Sequence, residues 1–436
     1  MTGDDKVRRL VIELYDTLST EWNFASDAIA AAFRREPDLG HRAKAAIVEQ
    51  LHGLIAQSRR VNYALSEEDG ARAKKTTLAR YVACRLLTGK MSVDEAKNEL
   101  PMFNWTSVAA VDERIAREED PVRRLALATS LPDWLAARLL SELGDEALAL
   151  GQAFNLRPPQ TLRVNSLKAT REGLIVSLAK QQIEAHATTL SKSAVVLDSP
   201  ANVFGLKLFS DGLIEMQDEA SQLVAELVEP APGSLVIDAC AGAGGKTLAL
   251  GALMKNRGRL IALDVNERRL EELRRRARRA GLSNVRAFQI TPTQADTEQT
   301  WPADVAALLG KADRVLVDAP CSGIGALRRN PEARWRLKEE DLARFPAEQE
   351  AIARRAMAFV KPGGRLIYAT CTLLREENEG VVEKLSGGDF SLIPLKEIIG
   401  KKVADKIADA SGLYLKLLPN RHGTDGFFAA VLRRKK

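Results

Sequence analysis

A chain of 436 residues, 45% hydrophobic and 28% charged, holds more apolar material than one core needs, so two or three globular domains are expected. No 18-residue apolar run is present and MTGDDKVRRL lacks a signal-peptide pattern, so no membrane span or secretory leader is predicted. Four scattered cysteines without a CxxC, four histidines without metal-ligand spacing and a net charge of +6 predict a cytoplasmic protein with reduced thiols and no metal, compatible with a polyanionic partner without requiring one.

Residues 1–140 read as almost all helix. Leu10, Leu14 and Leu18 recur at i, i+4 and i+8 beside Val11 and Tyr15, and Ile47, Leu51, Leu54 and Ile55 form a second stripe. Each stripe is an apolar face that needs a partner. Breaks near Pro37, Gly70, Gly89 and Pro101 predict a bundle with short connections. Cys84, inside LARYVACRLL, reads as a small core residue. No catalytic constellation occurs here, and the basic residues read as solvated helix faces before they read as RNA contacts.

From about Gly144 the pattern changes. TLRVN (Thr161 to Asn165), VVLD (Val195 to Asp198) and LIEMQ (Leu213 to Gln217) look like short strands, with a helix near Arg171–Lys180. Residues 141–216 therefore predict a small α+β domain. Arg163 could reach a phosphate of RNA, or equally a structural ion pair.

Residues 217–436 alternate. A helix from Gln217 ends at a Pro/Gly break near Gly233. Strands follow at LVIDA (Leu235 to Ala239), RLIALD (Arg259 to Asp264), VRAFQI (Val285 to Ile290), RVLVD (Arg314 to Asp318) and GRLIYAT (Gly364 to Thr370), with FFAAVLRR (Phe427 to Arg434) last. Helices separate them, including a long one around Glu348–Val360. Repeated βα units predict a parallel, Rossmann-like sheet covered on both faces. In ERRLEELRRRARRAGL the arginines 268, 269, 274, 275, 276, 278 and 279 go nearly all round the helix, which reads as a solvated outer face rather than one RNA-binding stripe.

The loop DACAGAGGKT (Asp238 to Thr247) joins the first strand to its helix. Glycines there let backbone N–H groups approach a ligand at a helix N-terminus. A P-loop would need glycine where Cys240 stands, so an NTPase is disfavoured. A dinucleotide fingerprint begins at Gly242 and Gly244 but ends at Thr247. S-adenosylmethionine (SAM) remains, with Asp238 at the strand end and Asp264 at the next strand end to hold ribose hydroxyls. A ribose acid would suit NAD as well, so the loop alone leaves both open. Cys240 itself reads as a packing residue.

Cys321 follows the fourth strand of the alternation and Cys371 the fifth. Adjacent strand tips lie side by side at the carboxyl edge, where ligands of open α/β sheets bind. Two thiols facing a loop able to hold SAM suggest one chemistry. Carbon 5 of cytosine is a poor nucleophile until a thiolate adds to carbon 6, after which it can take a methyl group and lose its proton as the thiol leaves. Asp318 could hold the base edge, accepting from N4 or, if protonated, donating to N3.

These residues resemble a known family. DAPCSG with Cys321, YATCTL with Cys371, DACAGAGGKT, QDEASQL, RRNPEARW, the EEN of Glu376–Asn378 and HGTDGFFAA (His422 to Ala430) together resemble RNA cytosine-5 methyltransferases, from about Thr161 to the C-terminus. Arg42 to Leu65 is similar to the NusB-like RNA-binding domain of the bacterial 16S rRNA methyltransferases of the RsmB type. The resemblance implies Cys371 as nucleophile and Cys321 assisting release of the methylated base. It implies SAM contacts at Cys240, Ala241, Gly242, Ala243, Gly244, Gly245, Lys246, Asp264 and Asp318. Arg163, Arg328 and Arg329 are candidates for RNA phosphates, and 16S rRNA, no membrane, no metal and a monomeric state are expected. One departure stands out. Where the family has a Gly-Asp pair after the third strand, this chain reads Ile290-Thr291, with Asp296 nearby but out of register. A non-catalytic RNA-binding or ribosome-assembly factor, or a methyltransferase for another rRNA or tRNA, are the alternatives.

Overall fold

The structure is a computed structural model that describes residues 3–66, 76–292 and 301–436. Gly70 and Asp296 lie outside the described residues. Contacts group the chain into two units, Met1–Pro158 with Ala326–Asp341, and Pro159–Gly325 with Leu342–Lys436.

The first unit is helical. The helices Gly3–Thr20 and His41–Ala56 carry the two leucine-rich stripes, whose residues are all at most 3% exposed. Helix starts are fixed by capping. Thr76 accepts from the Ala79 amide, Ser92 and Glu95 form a reciprocal capping box, and Asp120 precedes Pro121 at the first helical position. Cys84 is buried, and burial pushes its thiol up to about 12. Helical packing does not stop at 140: Leu135, Leu139, Ala147 and Leu150 are buried on the helices Asp133–Leu143 and Glu146–Ala153.

A later segment belongs to this unit. Arg334, fully buried, donates through Nη1 to the carbonyls of Ala56 (3.1 Å) and Ser130 (3.2 Å) and to Asn155 Oδ1 (2.7 Å). Its Nη2 donates to the Phe154 carbonyl at 3.2 Å. Trp335 Nε1 donates to the Ile55 carbonyl at 2.9 Å, and Glu332 accepts from the Ala25 amide at 3.2 Å. Burial pulls the Arg334 guanidinium down to about 9, so it enters the interior still charged at neutral pH, against carbonyl dipoles.

The second unit contains two sheets. The small one comprises β1 (Thr161–Val164), β2 (Ala185–Ala187), β3 (Ala194–Leu197) and β4 (Ile214–Met216). Its order is β2-β3-β1-β4 and every pair is antiparallel. With the helix Arg171–Ala179 it buries Leu162, Val164, Leu174, Leu178 and Val195, the α+β arrangement expected. It lies in the same contact unit as the larger sheet, not in a unit of its own.

The larger sheet comprises β5 (Leu235–Asp238), β6 (Arg259–Asp264), β7 (Val285–Gln289), β8 (Ala312–Asp318), β9 (Val360–Thr370), β10 (Phe390–Leu392), β11 (Tyr414–Leu417) and β12 (Phe427–Arg434). The order is β10-β12-β9-β8-β5-β6-β7, with β11 on β12. Strands β5 to β9 pair in parallel, whereas β12 runs antiparallel to β9, β10 and β11, so the sheet is mixed where a parallel one was expected. Successive residues face opposite cores: Val236 packs in one with Leu316 and Ile367, Ile237 in the other with Val315 and Tyr368. Both faces are covered, which is why the strands read as continuous apolar runs. β9 starts at Val360 and runs through Pro362-Gly363, while the preceding helix is Arg344–Met357. The arginine helix Glu267–Ala280 is not merely a solvated face. Arg276 and Arg279 both pair with buried Glu215 of β4, and Leu270, Leu273 and Ala277 are buried.

Candidate functional site

The strand order reverses at β5, which has β6 on one side and β8 on the other. A crevice forms at such a point because the two neighbouring connections leave in opposite directions. The loop Asp238–Lys246 opens onto a cavity of about 490 Å³ lined also by Asp264 and Asp318. Gly242 and Gly244 sit at φ 55° and 89°, a region that favours glycine. At Gly244 a Cβ would lie 2.7 Å from Leu273 Cγ, so glycine also permits the close packing of loop on helix. Asp264 pins the loop: its Oδ2 accepts from the Gly242 amide and its Oδ1 from the Asn266 amide, each at 2.8 Å. Arg276 Nη1 holds the Ala243 carbonyl at 2.8 Å.

Asp238 is 1% exposed. Thr247 Oγ1 donates to its Oδ2 at 2.7 Å, while Oδ1 has no hydrogen-bond partner among the described residues, the Cys240 backbone amide acting on the carboxyl only weakly. Burial, and secondarily the like charge of Asp318, push its carboxyl up to about 7. A buried, incompletely bonded acid beside a cavity favours a cationic ligand. Lys246 Nζ bonds Asp318 Oδ2 at 2.6 Å, with side chains 9% and 29% exposed, and lies 5.0 Å from the centre of the Phe427 ring. Cys240 lines the cavity and is also packed against the core around Tyr368. Burial raises its thiol well above the ordinary range.

The two thiols meet. Cys321 Sγ and Cys371 Sγ are 3.4 Å apart, one following β8 and the other β9. The Cys371 sulfur and then burial push the Cys321 thiol well up. The loops holding the pair are tied by Glu377, fully buried. It accepts from the Ser322 amide (2.9 Å) and Gln349 Nε2 (2.8 Å) through Oε2, and from Thr372 Oγ1 (3.1 Å) through Oε1. Tyr368 OH donates to its carbonyl at 2.6 Å. Despite these bonds, burial raises the Glu377 carboxyl. Gly325 N donates to the Cys371 carbonyl at 2.9 Å, and a Cβ on Gly325 would lie 2.2 Å from the Gly426 carbonyl. EEN and the terminal HGTDG stretch thus serve as scaffold for the thiols. Glu377 and Gln349 were missed as site residues because their partners lie far off in sequence; the EEN run was the available signal.

The three arginines assigned to RNA fare differently. Arg163 is 4% exposed, donates from Nε to Gln217 Oε1 at 2.6 Å and feels the charge of Glu215, contacts of the structural kind rather than a surface open to phosphate. Arg328 is likewise buried, at 7% exposed, since its segment packs into the helical unit. Arg329 is half-buried.

The antiparallel β12 departs from the all-parallel dinucleotide order, and the switch-point loop with its acids fits a nucleoside carrying a cationic amino-acid tail. Fold and site together define a SAM-dependent methyltransferase. Residues 225–433 match the family described as 16S rRNA methyltransferase RsmB/F, and residues 131–204 match the ferredoxin-like domain of such methyltransferases. Over 321 residues the chain is 37% identical to the probable ribosomal RNA small subunit methyltransferase B of Bacillus subtilis, covering 73% of this chain and 69% of that relative. A methyltransferase homologue from Pyrococcus horikoshii, 29% identical, superposes with a TM-score of 0.60 over 71% of this chain and 97% of its own. Another solved structure, 26% identical, covers 100% of this chain and 99% of its own at a TM-score of 0.77. The chain belongs to the RsmB/F family of 16S rRNA methyltransferases, and SAM is its cofactor.

Proposed function

We propose that the chain methylates carbon 5 of a cytosine in 16S rRNA through a covalent adduct between Cys371 and carbon 6. The observation that carries this reading is the 3.4 Å approach of Cys321 and Cys371 on the strand tips next to the SAM cavity. SAM, when bound, supplies an electrophilic methyl group on a sulfonium. The glycine loop from Cys240 to Lys246 would cradle it, with Asp264 available to hold the ribose hydroxyls and Asp238 to hold the cationic end.

Asp318 takes the cytosine edge. Its Oδ2 is engaged by Lys246, and an ionised carboxylate accepts from N4–H rather than donating to N3. Cys371 adds as thiolate to carbon 6, and the electron pair moves to carbon 5, making it nucleophilic enough to take the methyl group that bound SAM would give up, its sulfonium–carbon bond breaking to leave the neutral thioether. Cys321 Sγ, 3.4 Å from the Cys371 sulfur, is close enough to share a proton with it. After transfer, a base removes the carbon 5 proton, the carbon 5–carbon 6 double bond re-forms and the carbon 6–sulfur bond breaks. Cys321, as base or as relay to one, assists that release.

The helical unit is read as NusB-like and RNA-binding, with Arg329 the remaining arginine candidate, and the protein as a cytoplasmic monomer. The target base must be unpaired or flipped to reach the thiol. Cys371→Ser is expected to abolish transfer from labelled SAM to rRNA, and Cys321→Ser to accumulate an adduct that survives denaturing electrophoresis. A Cys371→Ser protein that still turns over would reject the nucleophile assignment.

A further inference from the structure

The loops that carry Cys321 and Cys371 stay together beyond the strands that lead into them. Asp318 and Ala369 are register partners of the parallel pair β8 and β9, and the Ala319 amide donates to the Ala369 carbonyl at 2.8 Å. Past the thiols, Ser322 Oγ and Thr372 Oγ1 share a hydrogen bond of 2.7 Å, and the Gly325 amide holds the Cys371 carbonyl. The two backbones are thus tied on both sides of the thiols. Paired strands lie about 5 Å apart, inside the Cα separation of roughly 4.4–6.8 Å that a disulfide spans. The sulfur atoms are already 3.4 Å apart. Both cysteines are half-buried, whereas Cys84 is buried.

Two thiols held in this way need an oxidant to join, and little movement. A small hydroperoxide is one. A sulfur of the pair gives an electron pair to a peroxide oxygen. The sulfur–oxygen bond forms as the oxygen–oxygen bond breaks, and the second oxygen leaves as water or alcohol with the thiol proton. The neighbouring sulfur then displaces the new oxygen as water and closes the sulfur–sulfur bond. Two thiols are oxidised by two electrons and one peroxide is reduced by two. We infer that Cys321 and Cys371 form an oxidative modification site for hydroperoxides, linking reversibly and stopping methyl transfer while the SAM cradle stays intact. The loss of transfer rests on the reading of Cys371 as nucleophile, whereas the linkage rests on geometry alone. The cradle is spared because its loop is fastened by Asp264 and Thr247, and by neither thiol.

Hydrogen peroxide added to the full, pre-reduced chain tests this. The four free thiols are expected to fall to two, the intact mass to drop by two hydrogens, and a protease digest to yield a Cys321–Cys371 linked peptide. Transfer from labelled SAM to rRNA should be lost and should return with dithiothreitol. Calorimetry should find the same affinity for S-adenosylhomocysteine before and after oxidation. In Cys321→Ser no link can form. Cys371 should then gain oxygen, and longer exposure should give a sulfinic acid that dithiothreitol does not reverse. Loss of transfer without a linked peptide would overturn the proposal, as would equal recovery with dithiothreitol after long exposure in Cys321→Ser and the unaltered protein. A linked protein that still transfers methyl groups would overturn it too, and Cys371→Ser assayed in dithiothreitol then shows whether the nucleophile reading has failed with it.

Discussion

The two loops that form the site are held in opposite ways. The loop after β5 is fastened largely by near neighbours: Thr247 on Asp238, and the backbone of Gly242 on Asp264 at the next strand tip. The loop after β8 is fastened by Glu377 and Gln349, residues tens of positions away, and by backbone contact with Gly426. A cradle for a common cofactor can be made from one strand–loop–helix unit. A pair of sulfur atoms within 4 Å from two different strands needs a buried polar centre that ties both loops at once. The cofactor half is therefore expected to be locally robust, and the thiol half dependent on one distant carboxylate.

Removing that carboxylate should give the largest effect. Glu377→Ala removes the acceptor of three donors, two of them buried, and a loss of about 3 kcal/mol in stability is expected from denaturant titration. Transfer to rRNA should fall by about 100-fold, because small displacements of reacting groups are costly, while affinity for S-adenosylhomocysteine stays within about twofold. Equal losses of binding and transfer would erase the distinction between the loops. The converse substitution is Gly244→Ala, at φ 89° with Leu273 2.7 Å from the new Cβ. A cost of about 2 kcal/mol is expected there, read as weakened S-adenosylhomocysteine binding, with the rate of Cys371 alkylation unchanged.

Asp238 sharpens the comparison through pH. Its folded value, about 7, is raised, so the unfolded chain binds fewer protons between about pH 4 and pH 7, and this group's contribution to stability falls as pH rises across that window. A cationic ligand favours the ionised form. Affinity for SAM should therefore rise from pH 6 to pH 8 and level off, with proton release at pH 6 detectable by calorimetry in buffers of different ionisation enthalpy. The groups facing Asp238 are Thr247, Asp318, Lys246 and the Cys240 backbone amide. Thr247→Val is the mildest change. Losing its hydrogen bond should cost about 1 kcal/mol and move the pH midpoint upward, since that bond holds the Asp238 value down.

How far the sequence revealed all this follows the same division. Leu10, Leu14 and Leu18 could be read as a core stripe because helical period is local. The acids at 238 and 264 could be placed at strand ends because strand and loop are contiguous. The neighbouring tips of Cys321 and Cys371 follow from strand alternation alone. Glu377 could not be ranked above Glu376, because only the fold buries it. Arg163 and Arg328 look like any surface arginine until their surroundings are assembled. The reversed direction of β12 is likewise invisible in an apolar run that would suit either orientation.

The segment Ala326–Asp341 makes the order of the chain differ from the order of its folded parts. The helical unit begins near the N-terminus but is completed only after the polypeptide has passed through the first four strands of the larger sheet. A fragment ending at residue 158 would lack Arg334, leaving the carbonyls of Ala56, Ser130 and Phe154 facing an interior without their donor. The gene cannot be cut into two working cassettes at any one codon. A stable helical fragment would need residues 326–341 supplied as a separate peptide or spliced on by a linker. During synthesis, the ribosome releases the beginning of this unit well before its last piece exists.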